Sequence, residues 1–455
     1  MKPKSILIVS PFFPPVLSVA SLRVYSYAKY WARMGHEVTI LTTKKFDEGG
    51  EVLNLTNEQF VVIEVPYLNL SLNATYILKK MIGMKRNPPN MEKDSETMNA
   101  IEHRRNQFSK IKHALTKITH KFSLFTMARI PSVTDTWIRK AFLVGQYQLR
   151  KKQYDWIFSS YGPPASHIVA GLLRKKNGCK WVADYRDLWL EGHIYPGLWP
   201  FTSLERYLEN KYVGGYADII TTVSEPLADV LRKKFSVPVH VIENGYDEDD
   251  YNKRFSLYFT TDKKRIIYTG TIYPRKQDPS PLFIALSSLA NESEKLRKII
   301  DERLEILFFG NESLWLKNLI QKHHVDRWVK YKGVVSREDV LRIQNQADVF
   351  LFLEWEDSSL DGILTGKLFE YLAMKKPILG IGGSSRTSPG TLMEEAGVGL
   401  AVGKDIEKIR KILINLLEGR TPFPTLPNED VIQRYTRKKQ AIRILEIMDK
   451  LDGIT

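Results

Sequence analysis

The stretch GKLFEYLAMKKPILGIGG places Lys367 and Glu370 in the first turns of a helix, behind a turn holding Gly362 and Gly366, with an apolar strand beginning at Pro377. A helix start offers unpaired N–H groups and a positive dipole end to a phosphate. A carboxylate one turn further in can accept hydrogen bonds from ribose hydroxyls. Together these are what a nucleotide-sugar site needs. Upstream, YTGTIYPRK closes an apolar strand and precedes a helix starting near Pro279. It is a strand–loop–helix turn of the phosphate-binding kind, in which Gly270 lets the backbone approach the ligand. A solvated basic turn, and for Glu370 an ordinary surface pair with Lys367, are the plainer readings of the same residues.

The first half offers a second set. VADYRDLW ends a strand, so Asp184, Arg186 and Asp187 stand at the mouth of a sheet. A carboxylate there can orient a hydroxyl, and Arg186 can pair with phosphate or with its acidic neighbours. A salt-bridge cluster accounts for them equally well. In PFFPPVLSVASLR, the small residues Ser18, Ala20 and Ser21 permit close approach of a diphosphate and Arg23 aims at it; helix capping by Ser21 explains this loop as well. The acidic run Asp247 to Asp250 reads as solvated acids in a connection rather than a metal site. No histidine pair has zinc-ligand spacing, and neither a Ser–His–Asp set nor a GxxxxGK[ST] loop is visible. No metal ligand and no cofactor are therefore expected.

These residues need strands and helices in alternation to hold them, and the pattern supplies it twice. Ser5–Ser10, Glu37–Leu41, Val61–Val65, Trp156–Ser160, Lys180–Asp184, Asp218–Val223 and Val239–Ile242 read as strands, most of them continuously apolar. Ser21–Met34, Ala165–Lys176, Ser203–Val213 and Glu225–Phe235 read as helices between them. After the charged, turn-rich stretch Glu243–Lys264 the alternation restarts, with strands at Arg265–Tyr268, Leu304–Phe309, Val329–Tyr331, Val349–Leu353, Pro377–Ile381 and Gly399–Val402. Continuous apolar strands belong in parallel sheets covered on both faces. The expected fold class is α/β, with two doubly wound Rossmann-like domains facing across a cleft. Residues 1–245 form the first and 246–427 the second, and a final helix over 428–451 packs back onto the first.

At 455 residues with 43% hydrophobic content, the chain is long enough for two cores. Ile6–Val9 is cut short by Ser10 and Pro11, reading as a first strand and not a secretory signal. The lone Cys179 excludes an internal disulfide and suits a reducing cytoplasm. A net charge of +15 asks for an anionic partner: nucleotide phosphate, an acidic membrane surface or nucleic acid. Basic residues gather between Lys79 and Lys121, where Ile111, Leu115, Ile118, Phe122 and Phe125 recur at helical spacing. Such a helix can lie on an acidic bilayer, or be a surface helix with a solvated face.

In order and spacing, these segments resemble the retaining GT-B glycosyltransferases of glycosyltransferase family 4. The likeness runs from SLRVYSYAKYWARMGHEVTIL through VADYRDLW, TTVSEPLADVL, VIENGYD and YTGTIYPRK to GKLFEYLAMKKPIL. The resemblance implies metal-independent, retaining transfer of a sugar from a nucleoside diphosphate to a hydroxyl on a glycan or lipid-linked acceptor, in cell-surface polysaccharide synthesis. The protein would be cytoplasmic, peripheral on the inner membrane face, and nucleic acid would not be a partner. Glu370 matches the second of two family glutamates eight positions apart, which holds the ribose; Gly362 stands where the first belongs. Lys276 matches the family lysine directed at the diphosphate, Thr271 replaces its arginine, and Arg275 stands beside them. The catalytic candidates are Lys276, Glu370 and Asp187. Gly270, Thr271, Arg275, Gly362 and Lys367 join Lys276 and Glu370 as donor-binding candidates, with Arg23, Asp184 and Arg186 on the acceptor side. A sugar-nucleotide epimerase or hydrolase of the same architecture, and a non-enzymatic basic binding protein, are the competing readings.

Overall fold

The computed structural model describes residues 2–15, 18–44, 58–67, 129–132, 134–191, 197, 199–355 and 364–453. Gly362 and the basic stretch Lys79–Lys121 lie outside the described residues. The chain divides into two compact units, Met1–Thr222 with Leu227–Val241, and Val223–Pro226 with Ile242–Thr455.

The first unit is built on the strands β1 (Ser5–Val9), β2 (Glu37–Thr43), β3 (Val61–Val65), β4 (Trp156–Ser160), β5 (Lys180–Tyr185), β6 (Ile219–Thr222) and β7 (Val239–Val241). They pair in parallel in the order β3-β2-β1-β4-β5-β6-β7. The helices of this region are α1 (Val19–Arg33), α2 (Asp135–Lys151), α3 (Ala165–Asn177), α4 (Phe201–Glu209), which runs into a π-helical turn at Asn210–Gly214, and α5 (Glu225–Lys234). Val9, Ile157, Trp181 and Ala183 are fully buried against Ala165, Val169 and Leu173 of α3, and the alternate positions Ile6, Ile8, Phe158 and Val182 are fully buried as well, so these strands carry apolar side chains where alternation would put polar ones. The cap of α1 is Ser18 rather than Ser21. The Ser18 hydroxyl accepts from the Ser21 amide and the Ser21 hydroxyl accepts from the Ser18 amide, a reciprocal capping box.

The second unit holds β8 (Lys264–Thr269), β9 (Leu304–Phe309), β10 (Val329–Gly333), β11 (Val349–Leu353), β12 (Ile378–Ile381) and β13 (Gly399–Ala401), all parallel in the order β10-β9-β8-β11-β12-β13. Its helices are α6 (Glu248–Tyr251), α7 (Ser280–Glu292), α8 (Glu294–Arg303), α9 (Leu314–Lys322), α10 (Arg337–Asn345), α11 (Gly366–Met374), α12 (Ser388–Glu395), α13 (Ile406–Leu417), α14 (Glu429–Arg434) and α15 (Arg437–Leu451). Alternate residues of β9 feed two separate apolar layers: Ile306 and Phe308 join Leu286 and Leu413, while Leu307 and Phe309 join Phe350 and Tyr371. Tyr371 anchors α11. Its ring stacks on Phe350 at 4.1 Å and its hydroxyl accepts from the Thr269 amide at 2.9 Å, fixing the helix to the end of β8.

The single helix expected over 428–451 is two. Asn428 caps α14 and Thr436 caps α15. Between them the backbone of Tyr246 intervenes: its amide donates to Tyr435 O and its carbonyl accepts from the Arg437 amide, at 3.1 and 2.8 Å. Residues 437–451 fall in the second unit, where the Arg437 Nε donates to Gly245 O and Arg443 pairs with Glu243.

Candidate functional site

In the second sheet, β8 leads through α7 and α8 to β9 on one side, while its other neighbour is β11. Strand order reverses between β8 and β11, and the loops beyond the carboxyl ends of two such strands enclose a ligand crevice. The loop after β8 carries Gly270, Thr271, Arg275 and Lys276; the connection after β11 delivers the start of α11 with Lys367 and Glu370.

Two glycines let the backbones meet there. Gly270 has φ +114° and Gly310, after β9, has φ +155°. A Cβ on Gly310 would lie 2.3 Å from Gly270 O, and one on Gly270 would lie 3.0 Å from Lys367 Cε. Any larger residue would push the two loops apart or displace the lysine.

Thr365 precedes α11 in extended conformation, yet its side chain does not cap the helix, and Thr365 Oγ1 makes no hydrogen bond among the described residues. The positive end of α11 is thus left for another acceptor. Lys367 is half-buried as a whole, with its ammonium turned inward, 3.6 Å from the centroid of the Tyr268 ring. Burial, opposed in part by Glu370, pushes its pKa down to about 7. An amine so placed gains most from an anion brought beside it.

Glu370 does not pair with Lys367. Its Oε1 accepts from Arg337 Nη1 at 2.6 Å and its Oε2 from Gln344 Nε2 at 3.1 Å, both donors on α10. Arg337 also reaches Asp250 Oδ2 at 3.1 Å, so one member of the acidic run is an ion-pair partner and not a solvated acid. Another, Asp247, caps α6. Lys276 is exposed and lies over the Trp355 ring at 4.9 Å, beside the Tyr273–Trp355 ring pair. Thr271 accepts from Asn311, and Arg275 is exposed with φ +63°. Arg337, Gln344 and Trp355 were not singled out by sequence. Ser336, followed by Glu338 and Asp339, announces the start of α10, but nothing in the spacing directs Arg337 to a carboxylate in another helix.

The first unit treats its expected site residues differently. The strand registers set Ser160 beside Asp184 and Asp184 beside Thr221. Asp184 is wholly buried: Oδ1 accepts from Arg23 Nη2 and Thr221 Oγ1, and Oδ2 from Arg23 Nε and Ser160 Oγ, all between 2.8 and 3.1 Å. Burial alone would raise its pKa, but the Arg23 guanidinium and these hydrogen bonds hold it below the ordinary value. Arg23 is only 4% exposed. The two are partners of each other inside the fold, in place of presenting an acceptor-side surface. Arg186 and Asp187 form an outlying pair at 2.6 Å, with Arg186 lying against Gly162. His167 is buried, bonded through Nδ1 to Ser159 Oγ at 2.8 Å, and burial lowers its pKa to about 3, so it is a neutral core residue.

Among the described residues no cluster of metal-ligating side chains occurs. No described helix is long and apolar enough to cross a membrane.

Residues 120–250 match the family model described as Glycosyltransferase Family 4. No curated protein sequence matches the chain. Among solved structures, a glycosyltransferase from Rickettsia africae is similar over 100% of both chains, at 16% identity and a TM-score of 0.59. Sucrose-phosphate synthase from Thermosynechococcus elongatus is similar over 99% of this chain and 100% of its own, at 12% identity and a TM-score of 0.55. Anabaena HepE, solved in complex with UDP, is similar over 98% and 100%, at 10% identity and a TM-score of 0.53. The fold is GT-B. In GT-B terms the crevice at β8 and β11 belongs to the second Rossmann-like unit, and the segment that matches the family model lies mainly in the first.

Proposed function

We propose that the protein is a retaining glycosyltransferase that takes a sugar from a nucleoside diphosphate and places it on a hydroxyl of a glycan or lipid-linked acceptor, in the assembly of a cell-surface polysaccharide. One observation carries the reading. At the β8/β11 reversal an uncapped helix start, a partly deprotonated lysine pressed against Gly270 and a carboxylate with acceptor positions to spare stand within one turn of α11. The Anabaena relative that shares the fold was solved with UDP, and the family match to residues 120–250 supports the same chemistry.

In this reading Glu370 accepts from the ribose hydroxyls, and the diphosphate lies against Gly270 and the first N–H groups of α11. Lys367 stands where it can replace the family arginine that Thr271 lacks. As the glycosidic bond to phosphate breaks, negative charge grows on the departing diphosphate, and Lys367 and Lys276 stabilise it. The acceptor attacks from the same face, its proton passing to a leaving phosphate oxygen. No protein nucleophile is required and no step is assigned to a metal. Asp187 and Arg186 remain the acceptor-side candidates, and work at the cytoplasmic face of an anionic membrane is part of the proposal.

The test is incubation with UDP-, GDP- and ADP-sugars, with and without glycan acceptors, following nucleoside diphosphate release and the anomeric configuration of the product by NMR. Acceptor-dependent release with retention is expected. Release without any acceptor requirement would support the epimerase or hydrolase reading, and no turnover of any donor would leave the basic binding protein.

A further inference from the structure

We propose that Arg337 is a positioning residue that aims the Glu370 carboxylate at the donor's ribose, holding it from behind through a three-member ion chain anchored at Asp250. The proposal rests on the donor reading of the same crevice and adds to it a residue that needs no contact with the nucleotide.

A carboxylate offers about four acceptor positions, two on each oxygen. Among the described residues Glu370 uses one on each: Arg337 Nη1 at Oε1 and Gln344 Nε2 at Oε2. One position on each oxygen is left, which is the number that a cis pair of ribose hydroxyls can fill. Both occupied positions are supplied from α10, so both donors restrain the carboxylate's rotation from the same helix. Glu370 keeps 25% of its side-chain surface exposed, and Arg337 26%.

The second arm of Arg337 explains why it stays in place. Its Nη2 bonds Asp250 Oδ2 at 3.1 Å, so the planar fork spans two carboxylates on two helices, α6 and α11. A lysine, a single point of charge on a flexible stem, cannot hold both in one geometry. Gln344 is fixed in the same way, since its Nε2 also donates to Thr269 Oγ1 at 3.0 Å, at the end of β8. With two acids to one guanidinium the chain keeps a net negative charge, and the flanking carboxylates raise the Arg337 pKa beyond any working pH. A hydroxyl donating to Glu370 therefore meets an ionised acceptor already turned towards it, and less ordering remains to be done on binding.

The experiment is calorimetric titration of wild type, Arg337→Met, Arg337→Lys and Asp250→Asn with UDP, GDP and ADP, and with the 2′,3′-dideoxy counterpart of the tightest binder. The readout is the ratio of the two affinities, because a merely structural role would weaken both ligands alike. Wild type should prefer the ribose form by about tenfold or more, the worth of hydrogen bonds to a charged acceptor. Arg337→Met should bring the ratio close to one with the dideoxy affinity unchanged. Arg337→Lys should retain part of the preference. Asp250→Asn, which leaves the Glu370 contact intact and loosens only the anchor, should lower the ratio by about twofold to threefold. Should Arg337→Met fail to fold by circular dichroism, Arg337→Lys and Asp250→Asn carry the test. A wild-type ratio retained in the folded variants overturns the proposal. Failure of wild type to bind any of the three nucleotides overturns the donor reading instead, and this role with it.

Discussion

Asp184 and Glu370 are both carboxylates beyond or near the end of a parallel strand, each facing an arginine, and their hydrogen-bond inventories separate them. Asp184 has four donors for four positions, two on each oxygen, and no exposed surface. Glu370 has two donors for the same four positions and a quarter of its side chain open. A saturated acid is a strut, whereas one held from one side only is equipped to bind. The same contrast divides the lysines. Lys234, in the first unit, bonds Glu209 and Glu191, while Lys367 has an aromatic ring and a glycine for company.

Four substitutions break or sharpen this contrast. The largest effect belongs to Asp184→Ala, which takes the carboxylate from beside the buried Arg23 charge and should cost about 3–5 kcal/mol of stability. Urea denaturation would show it, with nucleotide affinity unmoved at concentrations where the variant is folded; a loss of affinity at full stability would make Asp184 a site residue after all. Next comes Lys276→Ala, expected to lower turnover by about a hundredfold with no change in melting temperature. Near-normal kcat would transfer leaving-group stabilisation to Lys367.

Glu370→Ala should weaken donor binding by about tenfold to a hundredfold, since two hydroxyls lose a charged acceptor. Its cost to stability should be smaller than that of Asp184→Ala, because Arg337 keeps Asp250. A destabilisation equal to that of Asp184→Ala would erase the distinction between strut and site. The smallest effect concerns pH. Lys367 titrates at about 7 in the unliganded protein, and a bound diphosphate favours its charged form, so binding takes up a proton. Affinity should be greatest below pH 7 and fall as pH rises above it, by at most about tenfold per unit. Lys367→Arg, which stays charged, should flatten the profile; a flat wild-type profile would place the diphosphate away from this lysine.

Much of the fold was legible. Runs such as Trp156–Ser160, Leu304–Phe309 and Val349–Leu353 carry their length and burial in their composition, and the structure gives those bounds unchanged. The helix over 428–451 misled because its break is imposed by Tyr246, far away in sequence, with no proline or glycine to mark it. Of the proposed site, what is local to one turn was legible: the loop at Gly270 and the helix start that carries Lys367 and Glu370. It was not legible where a partner comes from another element. Asp184 looked available because its neighbours Ser160 and Thr221 are brought alongside only by strand register. Arg337 looked like any helix-start arginine until α10 lay against α11.

The strand orders also set the pace at which the two sheets can be completed. At the centre of the first sheet β1 lies beside β4, pairing residues such as Ile6 and Trp156 that are 150 positions apart, the separation of the nearby Ser5–Asp155 bond. At the centre of the second, β8 meets β11 through pairs such as Ile266 and Val349. The longer closure costs only about 0.5 kcal/mol more in chain entropy, since that cost grows with the logarithm of length. Time weighs more. At roughly 5–20 residues per second, β1 leaves the ribosome some 8–30 s before its central partner exists, with one backbone edge unsatisfied throughout. The half of the molecule that is made first is therefore the half that most needs protection from aggregation while it is being made.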